Sequence, residues 1–165
     1  MAATYEPIAT QTLGGAAATV TFSSIPGTYT DLVVAMAMGT SNQNGVKIMI
    51  NNDTATNYSN TRLYGNGISV SSSRRSNTAT VYLDDGIAFS TGAGSNNSIL
   101  QFMNYSNTTT NKTWLQRGNN ADNGTVAVTG LYRSTSAITR LDFAAVGATT
   151  FVVGSTFTLY GIKAA

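Results

Sequence analysis

Along most of this chain apolar and polar residues alternate with a period of two, the spacing of a half-buried strand rather than of a helix. In Ala18-Thr-Val-Thr-Phe22, Ala18, Val20 and Phe22 share one face and the threonines take the other. Gly45 to Asn51 sets Val46, Ile48 and Ile50 against Lys47, Met49 and Asn51. Thr30 to Gly39 is instead a continuous apolar run, the signature of a central strand covered on both faces. Further strands are expected near 67–71, 78–83, 98–105, 112–117, 125–132, 138–144 and 156–162. Turn clusters rich in Gly, Asn and Ser separate them, as at Ser41–Gly45, Gly65–Gly67, Gly92–Asn97 and Gly118–Gly124. No window carries the capped i, i+3, i+4, i+7 stripe of an amphipathic helix.

About ten strands at this spacing predict an all-β fold, an antiparallel two-layer β-sandwich of jelly-roll type, with a closed barrel as the rival. Residues 1–15 break the pattern. Pro7 interrupts Tyr5 to Leu13, which makes this stretch at best an edge strand, and Gly14-Gly15 follows as a flexible joint. The expected division is an extended N-terminal arm over 1–15 and a single sandwich domain over 16–165. The arm reads either as a strap docking on its own domain or a neighbour, or as an ordinary first strand. Tyr5 and Pro7 are its candidate partner contacts.

Composition narrows the chemistry. Ser, Thr, Asn and Gly make up nearly half of the 165 residues, and His and Cys are absent. Without His there is no imidazole base and no Ser-His-Asp arrangement. Without Cys there is no thiol nucleophile or disulfide, and a typical zinc site is also excluded. The expectation is a structural or binding module rather than an enzyme, with no catalytic residues, no metal and no cofactor. Nine basic and seven acidic residues are spread along the chain, with Arg74-Arg75 the only adjacent basic pair. That distribution argues against a nucleic-acid partner. The longest apolar run, Leu32 to Met38, is too short to span a bilayer, so no membrane partner is expected either. The N-terminus lacks the basic start and apolar core of a secretion signal, which points to folding in a cytoplasm.

A few constellations remain. Asp84-Asp85-Gly86 is the one close carboxylate pair, but adjacent strand residues point to opposite faces, so it reads as a strand-ending turn. Arg74 and Arg75 sit in a loop-like stretch, Ser71 to Asn77, that either docks on an acidic partner or is simply solvated. Trp114 shares its alternation with Lys112 and Gln116, a polar-looking side that would leave the indole exposed. With Tyr105 it forms the candidate glycan contact, the alternative being core or rim packing.

Asn104 to Thr113 (NYSNTTTNKT), Gly130 to Thr139 (GLYRSTSAIT) and Gly154 to Ile162 (GSTFTLYGI), with Phe22 to Leu32 and Asn51 to Tyr58, resemble a group of tailed-bacteriophage virion structural proteins. The resemblance implies a β-sandwich found both free-standing and at the ends of tail-fibre proteins, and brings no catalytic or ligand residues. Tyr29, Leu32, Ile138, Leu159 and Tyr160 become expected core or core-edge residues. Asn51 to Tyr58 becomes a connection held by Asx-type bonds. The function expected from it is a capsid decoration (cement) protein, a homotrimer on the major capsid protein, located in virions assembled in the host cytoplasm. The alternative is a tail-fibre or receptor-binding module recognising a host-surface glycan.

Overall fold

The computed structural model describes residues 4–83 and 90–163. Its described residues form twelve strands and no helix. These are β1 Tyr5–Thr12, β2 Thr19–Phe22, β3 Asp31–Met38, β4 Val46–Ile50, β5 Tyr58–Gly65 and β6 Val70–Thr78. They continue as β7 Val81–Tyr82, β8 Asn96–Met103, β9 Lys112–Asn120, β10 Gly124–Tyr132, β11 Leu141–Ala145 and β12 Thr156–Ile162. Eight strands pair in the order β1-β12-β3-β8-β9-β10-β5-β6, and four in the order β2-β11-β4-β7. Every pairing is antiparallel. The protein is thus an all-β, two-sheet, sandwich-like fold.

Period-two alternation explains the core. From the short sheet, Val20, Phe22, Leu141, Phe143, Val46, Ile48, Ile50 and Val81 point inward. From the long sheet come Leu32, Val34, Met36, Leu100, Phe102, Phe157 and Leu159. Phe143 bridges the layers, edge-on to Phe22 at 6.3 Å and tilted against Phe157 at 6.0 Å. Each such side chain, taken fully out of water, contributes about 1.5–3 kcal/mol.

Several expectations need correction. The 71–77 stretch carrying Arg74 and Arg75 is not a loop but most of β6, an edge strand exposed along almost its whole length. It has no buried face, so no alternation marks it; its ladder to β5 alone makes it a strand. Strand β5 was not among the expected strands; it begins at Tyr58, where the expected connection ends, and its inward positions include Asn60 and Arg62, which break the apolar alternation. Strand β3 is covered on one face only: Val33, Ala35 and Ala37 look outward, and no described layer lies over them.

The N-terminal segment docks on its own domain. Strand β1 is the outer strand of the long sheet, paired to β12 from Tyr5↔Ile162 to Thr12↔Thr156. Pro7 is accommodated at this edge with a register shift between Pro7 and Ala9, and Ile8 packs against the core. The expected Asx connection is formed by Asp53, whose carboxylate accepts from Ala55 N–H (2.8 Å) and Asn57 Nδ2 (2.8 Å). Asn51, at a φ of 52°, ties this connection to the segment entering β11, accepting from Thr139 and Arg140 N–H.

Candidate functional site

Antiparallel register makes cross-strand partners share a face, so the long sheet can be read row by row. One outward row runs Tyr160–Val33–Gln101–Leu115–Thr129–Thr61–Arg74. The next runs Thr158–Ala35–Ile99–Arg117–Ala127–Leu63–Ser72. Between them lies an open trough of about 670 Å3 with an aliphatic floor. Leu63 (54% exposed), Leu115 (52%) and Ile99 (45%) form that floor, and Thr61, Gln101 and Thr129 edge it.

The concentration of apolar groups here is uneven across the molecule. Eight large hydrophobic side chains are exposed among the described residues, and six of them (Tyr5, Leu63, Val70, Ile99, Met103, Leu115) lie on this one sheet face. The other two, Ile68 and Val153, sit in loops beside strand ends. Three of the six, Leu63, Ile99 and Leu115, share the one trough, and a cluster of exposed apolar groups is the kind of feature an interaction surface uses.

The partner-contact candidates are placed as follows. Tyr5 and Pro7 lie on this outward face at its β1 edge, Tyr5 edge-on to Tyr160 at 6.3 Å. Arg74 lies on the same face at the opposite edge, across from Thr61. Arg75, one residue on, turns to the other side and stacks over Tyr82 at 4.8 Å. The structure therefore separates the adjacent arginines, as strand geometry requires.

The glycan candidates are not at the surface. Trp114 and Tyr105 are both fully buried, which selects core packing over the exposed indole of the glycan reading. The alternation along β9 is present, but its sides are reversed. Lys112, Trp114, Gln116 and Asn120 point inward, whereas Thr113, Leu115 and Arg117 point outward. Trp114 lies over Gly130, directly across the ladder, where a Cβ would sit 2.0 Å from the indole. The Tyr105 hydroxyl donates to the Pro26 carbonyl, anchoring the ring inside. Neither ring presents a face to a sugar.

Lys112 also illustrates a buried group without chemistry. Its ammonium donates to Thr110 O (2.7 Å) and Thr135 O (3.1 Å), and burial pulls its pKa below the usual lysine value. Clamped by carbonyls and closed to solvent, it bridges two loops.

A second trough, of about 660 Å3, lies on the outward side of the short sheet, where Thr21, Asp142 and Met49 form one row. Asp142 is buried and saturated: it accepts from Thr21 Oγ1 (2.6 Å) and, in a fork, from Arg140 Nε (2.8 Å) and Nη2 (2.7 Å). Burial alone would raise its pKa. The bonds from Arg140 and Thr21, with the Arg140 charge, outweigh that and hold it below the ordinary carboxylate range. A carboxylate so engaged is a structural pair, not a proton shuttle. The Asp84-Asp85 pair lies outside the described residues. Among the described residues no group of three or more metal-ligating side chains comes together.

In comparisons with known proteins, no family model matches the chain and no curated protein matches it. The residues that sequence reasoning missed are Leu63, Ile99, Leu115 and Arg117. One signal for them was present. Gly130 stands opposite the position of a large ring, and a glycine there makes room for an inward Trp114, which turns Leu115 outward.

Proposed function

We propose that this chain is a non-enzymatic structural protein of a tailed-bacteriophage virion, a capsid decoration protein acting as a homotrimer on the major capsid protein. The observation that carries the reading is the outward face of the long sheet. It gathers Leu63, Ile99 and Leu115 in one trough among polar neighbours, spans eight hydrogen-bonded strands, and has no covering layer among the described residues. The resemblance to phage virion proteins supplies the biological setting.

The strand orders support a jelly-roll reading of the sandwich. β1-β12-β3-β8 faces β2-β11-β4-β7, so strands from the first half of the chain alternate with strands from the second in both layers. The hairpins β5–β6 and β9–β10 are then additions that widen one sheet. They contribute Leu63, Arg74, Leu115, Arg117 and Ala127, so the additions supply much of the docking surface.

Mechanically, such a protein strengthens a shell by burying area across the joints between subunits, and a specific contact needs on the order of 1,000 Å2 or more in total. A wide, regularly hydrogen-bonded face meets that need with little ordering cost, because its side chains stand on fixed backbone. The tail-fibre and glycan-recognition alternative loses its two ring faces, Trp114 and Tyr105, to the core. Counting copies per virion, together with imaging of their position, tests the proposal. Copies on the scale of the shell subunits are expected; a handful at the tail would overturn it.

A further inference from the structure

We infer that the partner surface received by the outward face of the long sheet is a protein surface with carboxylates set among aliphatic side chains. This rests on the reading of that face as the docking surface and names the chemistry of what it docks.

The floor of the trough excludes some partners. Leu63, Ile99 and Leu115 offer branched aliphatic ends with no hydrogen-bonding atoms, and no aromatic side chain lines the trough. Sugars and unpaired bases are gripped by stacking on flat rings, whereas aliphatic ends pack against aliphatic side chains. The floor therefore suits the apolar residues of another protein.

Charge sharpens the choice. Arg117 stands between Ile99 and Ala127, and Arg74 lies across from Thr61 on the neighbouring row. Neither forms an ion pair with a described carboxylate. Asp31 is the one described acidic residue on this face, and its Oδ1 accepts Asn104 N–H at 2.8 Å. The trough floor is therefore apolar, and on the same face stand two guanidinium groups without a described carboxylate partner. A guanidinium binds a carboxylate through two parallel bonds, a strong and geometrically selective contact.

The same accounting disfavours a second copy of this chain as the occupant. A two-fold contact sets a surface against itself, which would bring arginines toward arginines. Other surfaces of the chain have few carboxylates to offer. Of seven acidic residues, Asp84 and Asp85 lie outside the described residues, which leaves five. Glu6 pairs with Lys163 at 2.8 Å, Asp142 with Arg140, and Asp53 is held by Ala55, Asn57 and Tyr132. With Asp31 engaged as above, only Asp122 at the β9–β10 turn remains. Among the described residues the chain thus offers only Asp122 to complement Arg74 and Arg117, which favours a different protein as the source of that charge.

The test uses the whole chain with methyl-labelled Leu and Ile, titrated with three soluble extended peptides: alternating Leu-Glu, Leu-Lys and Ser-Glu. Leu-Glu is expected to shift the Leu63, Ile99 and Leu115 methyl signals, and Leu-Lys and Ser-Glu to bind far more weakly. Arg74→Glu with Arg117→Glu should weaken Leu-Glu binding about tenfold or more, as should raised salt. Equal binding of Leu-Lys, or no binding of Leu-Glu, would overturn the inference. So would a self-association abolished by Leu115→Ser but untouched by the double arginine variant, since a second copy would then be the occupant. A parallel arm adds the same variants to phage particles assembled without this protein. Uptake that ignores the arginine changes counts against this inference alone. Peptide binding as expected without any particle uptake counts against the virion reading and leaves the inference standing.

Discussion

The two halves of the long sheet differ in how many polar groups their inward positions hold. The β1-β12-β3-β8 half is backed by the short sheet, and its inward positions are Phe157, Leu159, Leu32, Val34 and Leu100, all buried. The β9-β10-β5-β6 half mixes Lys112, Gln116, Asn60, Arg62 and Asn120 with Trp114, Val126, Val128, Tyr58 and Tyr132 at its inward positions, and turns Leu115, Leu63 and Val70 outward. Asn60 Oδ1, Arg62 Nη1 and Trp114 Nε1 are buried there without a hydrogen-bond partner. A buried polar atom left unpaired costs about 1–3 kcal/mol, so these three positions weigh against the stability that the buried rings and valines of this half contribute. Apolar side chains are thus not confined to the inner face: Leu63 and Leu115 point outward from strands whose inward positions hold both apolar and polar groups.

Substitutions can break or sharpen this contrast. The largest effect is expected for Phe143→Ala, which empties the contact between Phe22 and Phe157 in the shared core. A loss of about 3–5 kcal/mol in denaturant unfolding is expected, as for other buried Phe truncations. The two halves should then unfold together; a hairpin half that survives would show that they are separate cooperative units.

Next comes Gly130→Ala, whose new methyl has to displace the Trp114 indole. Overpacking of this kind costs about 1–3 kcal/mol. Trp114 is the single tryptophan, so its fluorescence reports the site directly. A red-shifted emission is expected with the Phe143 region still folded; unchanged emission would contradict the placement of the ring.

Asp142 supplies a pH test confined to the short sheet. Its carboxyl titrates lower in the folded protein than in the unfolded chain, where the value is about 3.9. Its stabilising contribution is therefore complete above that unfolded value and is lost as pH falls through the lower folded one. Asp142→Asn should cost about 1–2 kcal/mol at neutral pH, since it weakens charge-assisted bonds to Arg140 and Thr21. It should also flatten the fall in melting temperature below about pH 4. A variant that keeps the wild-type acid slope would assign that slope elsewhere, with Asp53 next in line, its carboxyl also lowered by the Asn57, Ala55 and Tyr132 bonds.

The smallest effect on stability belongs to Leu115→Ser or Leu63→Ser, within about 0.5 kcal/mol, because these side chains already face solvent. Their effect should fall on docking instead. A marked drop in melting temperature would show that the outward face is part of the core.

Legibility followed burial. Strands β2, β4, β10 and β12 were readable because one face is apolar and inside. Most of strand β6 was read as a loop because Ser71 to Asn77 has no buried face and hence no contrast to detect, and the strand expected near 67–71 starts only at Val70. Strand β5 was hidden by Asn60 and Arg62, polar residues at inward positions. Along β9 the alternation was visible, yet Lys112 and Gln116 beside Trp114 suggested the wrong side, since polar neighbours ordinarily signal solvent. Arg74 was found but read with Arg75, and only the strand separated them.

By itself the amino-acid sequence determined the backbone state: period two, β-branched content and Gly/Asn turns leave antiparallel strands as the state that satisfies backbone hydrogen bonds and side-chain packing together. It also set the chemistry, since a chain without His and Cys lacks those functional groups in any fold. Tertiary structure alone decided which face of each strand meets water. That depends on whether a second layer lies behind it, and cover is a property of distant segments brought together, not of any one stretch. The proposed docking face of Leu63, Ile99, Leu115 and Arg117 exists because antiparallel register brings residues of β8, β9 and β5 to one outward side.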